Sequence, residues 1–238
     1  MEEKVVKTTN ELVVDNYKLH INGKSTTDAA LSVFWSLYAE TVGLYTTFLK
    51  ANIPEITVGG TKSVSIDDRR PGERVIKIAK FEGPSFRLIV KGYLPNGVKI
   101  AKPMILFGDE EAKNLDIDTL SYAGDLCRKF YEAACQYLKP KGLVIAEAEL
   151  ELIFDEYGAL YFTGEILTPN KATYWLLREL KTATYPMPFH SQPAINFLME
   201  CKAGRQTYNR SVMDAVKNDI ANKYASLCRY IVGPDWRG

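Results

Sequence analysis

The chain has 238 residues, of which 46% are hydrophobic and 25% are charged, and its formal net charge at pH 7 is +1. This length is enough to bury a substantial core in one large or two small domains. The near-neutral charge gives no electrostatic reason to expect nucleic acid or a membrane surface as a partner. Because no apolar run approaches membrane-spanning length and the first eleven residues lack the apolar core of a signal peptide, we expect a cytoplasmic protein.

The first part of the chain is predicted to be rich in strands. Residues 4–21 are typical of one or two short strands, and a turn over 22–25 leads into an amphipathic helix over 28–50. Residues 96–115 are predicted to be irregular. The intervening predicted strands are Glu55–Val58, Lys62–Ile66, Arg74–Phe81 and Phe86–Leu94. We therefore expect a smaller, strand-rich N-terminal lobe over residues 1–95.

The remaining residues, 96–238, are expected to form a larger C-terminal lobe. One helix is predicted over 116–138, another over 172–182 and a long final helix over about 212–231. The predicted buried face of the first of these helices carries Ile117, Leu120, Cys127, Phe130 and Ala134. Strands followed by helices in this order predict an α+β fold with a central antiparallel sheet flanked by helices.

The four cysteines and two histidines do not form a metal-binding motif. No CxxC pair occurs, and a zinc site would have to be completed by His20 or His190. Cys127 and Cys135 fall in a helical pattern and are interpreted as small buried residues, so disulfides are not expected. The sequence also lacks a Walker phosphate loop, a GxGxxG after a strand, a GxSxG and an HExxH.

Between the predicted helices lies a hairpin with regularly spaced carboxylates, GLVIAEAELELIFDEYGALYFTGEILTPNKATYW, which runs from residue 142 to 175. Glu147, Glu149 and Glu151 alternate along its first strand and are expected to project from one face. Glu165 lies near the end of the second strand. Carboxylates concentrated in this way are typical of sites that hold Mg²⁺ with a nucleotide. The alternative interpretation is a solvated strand face.

The hairpin resembles the corresponding region of the SAICAR synthetase family, purine-pathway ligases that join aspartate to a carboxyaminoimidazole ribonucleotide with ATP. The most specific match is Leu-Thr-Pro at 167–169 before Tyr-Trp at 174–175. Weaker matches follow the family's order at 22–24, 32–35, 87–94 and 188–192. The resemblance implies antiparallel sheets flanked by helices around a central cleft, with ATP and Mg²⁺ as cofactors.

The resemblance also implies which residues act in that cleft. It assigns Glu151 and Lys91 to catalysis, and Glu151 and Glu165 to Mg²⁺. The residues that it implies for binding nucleotide or substrate are Lys24, Lys91, Tyr93, Asn170, Lys171 and Gln192. The implied partner is a small-molecule, nucleotide-like ligand. Nucleic acid and membrane are not expected, and a homo-oligomer is left open.

The chain departs from the family pattern at the positions that carry the chemistry. Gly164 stands where the family has the second metal-binding carboxylate, and Glu149 stands where it has a lysine. In the loop after the hairpin, Asn170, Ala172 and Thr173 replace an aspartate, a serine and an arginine. The glycine- and lysine-rich strand pair that covers the nucleotide has no match before residue 24, which predicts a shortened or rebuilt N-terminal nucleotide lobe. These departures argue against SAICAR synthesis itself.

Three functional hypotheses follow from the sequence. The first is a divergent ATP- and Mg²⁺-dependent ligase that joins an amine to the carboxylate of a nucleotide-like substrate. The second is a non-catalytic descendant that binds a nucleotide or a small signalling ligand in the old cleft. The third is a structural or protein-interaction role in which the cleft is vestigial.

Overall fold

Two five-stranded antiparallel sheets and five α-helices make up the part of the chain that the computed structural model describes. The described residues are 8–15, 18–21, 24–25, 27–50, 73–79, 85–182, 186–189, 192–207 and 209–232. The predicted α+β class with antiparallel sheets is confirmed. No helix within these ranges is both long and apolar enough to cross a membrane.

The first sheet is formed by the N-terminal strands in the order β3-β2-β1-β5-β4. Its strands are β1 (Thr8–Asp15), β2 (Lys18–Ile21), β3 (Lys24–Ser25), β4 (Phe48–Lys50) and β5 (Glu73–Ala79). The strands predicted over 4–21 and 74–81 are therefore confirmed. Those predicted over 55–58 and 62–66 lie outside the described residues.

The first helix is shorter than the sequence predicts. Helix α1 spans Thr27–Thr41, and the predicted continuation to residue 50 is wrong. The helix ends because Gly43 adopts a left-handed φ of 72°, at which its N–H bonds to the Glu40 carbonyl. The chain then turns into β4, which pairs with β5. The apolar spacing of the helix continues by coincidence into this strand, where Phe48 and the preceding Thr46 and Thr47 favour extended backbone.

The second sheet carries the hairpin and has the order β10-β8-β6-β7, with β9 paired to β8. Its strands are β6 (Ser85–Tyr93), β7 (Lys99–Phe107), β8 (Leu143–Phe154), β9 (Leu160–Thr163) and β10 (Ala172–Leu176). The predicted boundary after residue 95 stays a prediction, although β6, on its N-terminal side, pairs with β7 and β8.

Two predictions in this region are wrong. Residues 96–115 are not irregular, since they contain β7 and a short helix, α2 (Glu110–Lys113). Residues 172–182 are not helical but form β10 and a single 3-10 turn over Glu179–Lys181. Strand β7 lies at the sheet edge, where Pro103 is tolerated and the alternation of apolar residues is weak. In β10, pairing with β8 overrides an apolar spacing that also fits a helix.

The remaining helices are α3 (Ile117–Leu138), α4 (Gln192–Lys202) and α5 (Arg210–Val232). The predictions for α3 and α5 are confirmed. Asp116 caps α3, and its carboxylate accepts a bond from the Thr119 N–H at 2.8 Å. Cys127, Phe130 and Ala134 are fully buried as predicted, whereas Ile117 is 81% exposed because it lies in the first turn, beyond the sheet.

One face of the second sheet is covered by helices. Helix α3 packs on β6, β7 and β8, and aromatic side chains of α1 and α3 interlock beside it. The Tyr38 hydroxyl donates to the Ala133 carbonyl at 3.0 Å, and the Tyr137 hydroxyl donates to the Ile231 carbonyl at 2.7 Å. These bonds tie α1, α3 and α5 into a single core. The opposite face of the sheet carries the hairpin glutamates.

Candidate functional site

The three glutamates of β8 project from the face of the sheet that points away from the core. Glu147, Glu149 and Glu151 are partly exposed, and they alternate with the buried residues Ala148, Leu150 and Leu152. The prediction that the three carboxylates share one face is confirmed.

A β-bulge in β8 sets where this face begins. Thr173 pairs with Glu147 and Tyr174 pairs with Ile145, so Ala146 is an extra residue in the ladder. In a regular strand Ile145 and Glu147 would point the same way, and the bulge places Ile145 in the core and Glu147 outside it. The hydroxyl of Tyr131, on α3, donates to the Ile145 carbonyl and so anchors the bulge from the core side.

Strand β6 supplies basic residues opposite these glutamates. In the ladder between β6 and β8, Arg87 lies opposite Glu151, and Lys91 lies opposite Glu147. The Lys91 ammonium lies 3.3 Å from the Glu147 carboxylate, and Arg87 Nη1 lies 3.4 Å diagonally from Glu149 Oε1. We call this group the charged face; it consists of Arg87, Lys91, Glu147, Glu149, Glu151 and Lys171.

Lys171 reaches the charged face from the loop between β9 and β10. Its carbonyl accepts a bond from the Glu149 N–H at 2.7 Å, and its ammonium lies 2.5 Å from Glu149 Oε1. The loop is held by buried bonds: Ser32 Oγ accepts from the Ile166 N–H at 3.2 Å, and the Tyr174 hydroxyl donates to the Leu167 carbonyl at 2.5 Å. The position of Lys171 is therefore fixed by the backbone as well as by its charge.

Glu151 lies directly beside Gly164. Its Oε1 accepts a bond from the Ser85 hydroxyl at 2.5 Å. A Cβ added to Gly164 would lie 2.8 Å from Oε2 of Glu151. A side chain at 164 would thus face Glu151 directly, as the family pattern requires of its second carboxylate, but this chain has no side chain there. Gly164 adopts a left-handed φ of 68°, which glycine tolerates without strain.

The structure places the other predicted site residues in different surroundings. Glu165 is exposed and accepts a bond from Thr168 Oγ1 at 2.9 Å, and Asn170 accepts one from the Tyr224 hydroxyl at 3.0 Å. Lys24 and Gln192 begin β3 and α4, and their side chains lie outside the described residues. Within the described part, no three His, Cys, Asp or Glu side chains gather into a group that could hold a metal ion.

Tyr93 lies in an apolar cluster rather than on the charged face. Its ring packs edge-on against Trp175, with centroids 5.9 Å apart, beside the buried residues Val144 and Ala146. Burial raises the pKa of its hydroxyl. Tyr93 also lines a cavity of about 400 Å³ together with Tyr131. The role implied for Tyr93 in binding nucleotide stays a prediction.

Sequence reasoning missed Arg87 and Asp109. Asp109 caps α2 and is 10% exposed; its carboxylate accepts bonds from Arg87 Nε at 2.9 Å, the Arg87 N–H at 3.1 Å and the Ala112 N–H at 3.0 Å. Burial alone would raise the pKa of Asp109, but these bonds lower it overall, and the same pairing raises the pKa of Arg87. The sequence did contain one indication for Arg87: it lies four residues before Lys91 in the same predicted strand, and residues an even number apart point to the same face.

With this geometry in hand, comparison with known proteins gives a consistent result. No family model matches the sequence. The phosphoribosylaminoimidazole-succinocarboxamide synthase of Stenotrophomonas maltophilia (strain K279a) is 22% identical over 251 aligned positions, which cover 90% of this chain and 79% of that protein. By this similarity the chain is related in sequence to SAICAR synthetases over most of its length.

Solved structures of SAICAR synthetases share the fold. The SAICAR synthase of Saccharomyces cerevisiae, solved with SAICAR, matches with a TM-score of 0.68 at 16% identity, covering 100% of this chain and 96% of that one. A SAICAR synthetase solved with ADP matches with a TM-score of 0.58 at 15% identity, covering 97% of this chain and 96% of the other.

Proposed function

We propose that the protein is an ATP-dependent ligase that joins an amine to the carboxylate of a nucleotide-like substrate on the charged face. The observation that carries the proposal is that three basic side chains and Glu151 converge on one open sheet face. Relatives of this fold were solved with ADP and with SAICAR, a phosphate-bearing and a carboxylate-bearing ligand.

The basic residues have a direct role in such a reaction. Transfer of a phosphoryl group develops negative charge on its oxygens, and cations fixed nearby stabilise that charge without reorganising. The Arg87 guanidinium is fixed by Asp109, and the backbone of Lys171 is fixed beside it by its loop. Lys91 provides a third cation on the same face. Arg87 offers a planar fork of donors, whereas the lysines act as point charges.

Glu151 fits a Mg²⁺ ion that arrives with the nucleotide. In nucleotide sites Mg²⁺ is bound through one or two carboxylates together with substrate phosphates and water. Glu151 Oε1 accepts a bond from Ser85, and Oε2 lies close to the backbone of Gly164. We propose Glu151 as the principal protein ligand and Glu165 as a second one. The ion would neutralise phosphate charge when bound.

A second candidate is a non-catalytic descendant that binds a nucleotide or a small signalling ligand. It is favoured by the pairing of the cations, because Lys91 contacts Glu147 while Lys171 and Arg87 contact Glu149. Cations neutralised in this way contribute less to a transition state than cations that are free to contact the substrate. The absence of a side chain beside Glu151 at Gly164 supports the same candidate.

Calorimetric titration with ATP, with and without Mg²⁺, tests the two candidates. The ligase is expected to bind ATP with Mg²⁺-dependent heat, and Glu151→Gln should weaken this binding by roughly 10-fold. Glu156→Gln is the matched control, since Glu156 lies in the exposed turn of the same hairpin. Absence of heat at millimolar ATP would contradict the ligase, whereas ATP binding that does not depend on Mg²⁺ would favour the second candidate.

A further inference from the structure

Two basic side chains converge on one oxygen atom of Glu149. Lys171 Nζ lies 2.5 Å and Arg87 Nη1 lies 3.4 Å from Glu149 Oε1. We infer that Arg87 and Lys171 form an anion-binding site for a phosphate-type group, and that Glu149 occupies it as an internal, tethered anion. The ligand must then displace Glu149 to bind. This inference goes beyond the proposed function because it requires neither ATP nor turnover.

Arg87 keeps its position independently of the Glu149 carboxylate. The Asp109 carboxylate accepts bonds from Arg87 Nε and from the Arg87 N–H, so it holds both the guanidinium and the backbone. The Arg87 side chain is 40% exposed, so a ligand can reach it from solvent. Loss of the Glu149 charge would therefore leave a fixed guanidinium in place.

The backbone of Lys171 is also positioned without help from the Glu149 side chain. Its N–H donates to the Thr168 carbonyl at 2.9 Å, and its own carbonyl accepts from the Glu149 N–H at 2.7 Å. Both bonds involve only backbone atoms and persist when the carboxylate is replaced. The guanidinium of Arg87 is held by Asp109, and the fixed backbone of Lys171 keeps its ammonium within reach of the same spot, so the anion site is partly preorganised, which reduces the cost of binding.

The tethered carboxylate competes strongly with an external anion. A group attached to the same chain acts at a high effective concentration, so millimolar phosphate binds weakly while Glu149 is in place. Glu147 does not create the same arrangement, because its described ion pair involves Lys91 alone. The two glutamates lie on one strand and one face, which makes Glu147 a matched control.

Titration with inorganic phosphate at constant ionic strength tests the inference, read out by calorimetry and by ³¹P line width. Glu149→Gln is expected to bind phosphate roughly 10-fold more tightly than the wild type, since one negative charge beside the anion is removed. Glu147→Gln should change the affinity by less than about 2-fold. Adding Lys171→Met to Glu149→Gln should return the affinity to near the wild-type value.

Three results would overturn the inference. The first is a Glu149→Gln protein that binds phosphate no more tightly than the wild type. The second is an equal gain from Glu147→Gln, which would show an effect of net charge alone. The third is a roughly 10-fold loss when Lys171→Met is made in the wild type, which would mean that Lys171 is already open to anions. Glu149→Ala serves as a second variant if glutamine disturbs folding. Since no titration contains ATP or Mg²⁺, failure here is distinct from failure of the proposed ligase.

Discussion

Replacement of Gly92, in strand β6, by alanine should destabilise the protein strongly. A Cβ at this position would lie 2.0 Å from the hydroxyl oxygen of Tyr131, 2.7 Å from Cζ and 2.9 Å from Cε1. Favourable contacts between non-bonded carbon atoms begin near 3.5 Å, so the ring must move. Tyr131 is 3% exposed, and its hydroxyl donates to the Ile145 carbonyl, so the ring cannot move without losing that bond.

The magnitude follows from two costs. Overpacking of a core site typically costs about 1–3 kcal/mol. A buried carbonyl left without its donor costs about 1–3 kcal/mol more. We therefore expect Gly92→Ala to lower the free energy of unfolding by about 2–6 kcal/mol. Because the lost bond anchors the β8 bulge, the substitution should also disturb Glu147 on the charged face.

Urea unfolding followed by circular dichroism measures this effect. Gly158→Ala is the control, since a Cβ there meets nothing within 4 Å. This substitution should cost only the strain of a left-handed φ, roughly 1 kcal/mol. Tyr131→Phe removes the atom in the closest contact, so Gly92→Ala should cost at least about 1 kcal/mol less in that background. A Gly92→Ala protein within about 0.5 kcal/mol of the wild type, or strict additivity with Tyr131→Phe, would refute the reasoning.

Three further predictions concern the core and the charged face. Tyr174→Phe should cost about 1–3 kcal/mol in urea unfolding, because it leaves the buried Leu167 carbonyl without its donor. Phe130→Ala, at a fully buried site, should cost about 3–5 kcal/mol in the same assay, and a loss below 1 kcal/mol would contradict the described packing. The folded-state pKa of Asp109 lies below its ordinary value of 3.8, so its stabilising contribution is present above about pH 4 and is lost as pH falls through the folded pKa. Asp109→Asn should therefore flatten the dependence of unfolding free energy on pH below about 4, and an unchanged slope would show that Asp109 does not contribute.

The sequence was sufficient to predict the helices and strands that have a strong hydrophobic periodicity because only one of their faces is buried. Helices α3 and α5 and the glutamate strand β8 are of this kind, since one face of each is buried. The prediction failed for α1 beyond Thr41 and for β10, where apolar residues at helical spacing belong to strands. Pairing with a distant strand decides such segments, and that information is not local.

The candidate site was predictable in its position but not in its internal contacts. The alternation of the glutamates and the Leu-Thr-Pro loop located the charged face. The role of Asp109 depends on the return of the chain after β7 to the start of β6, a long-range contact that spacing along the sequence does not show. The resemblance implied that Gly164 stands at the position of the family's second metal-binding carboxylate, and the structure places Gly164 beside Glu151.

The departures from the family pattern are coupled rather than scattered. A glutamate at 149 in place of a lysine would by itself leave an uncompensated negative charge on the sheet. Lys171, which stands where the family has a serine, lies 2.5 Å from that carboxylate and shares a backbone bond with the same residue. The basic charge has thus moved from the strand to the loop, and the pair stays neutral. A vestigial cleft has no reason to keep such a balance beside a fixed Arg87, whereas a site that still admits an anion does. The pairing of Glu149 with Lys171 is therefore what we expect if the site admits an anion, as we propose.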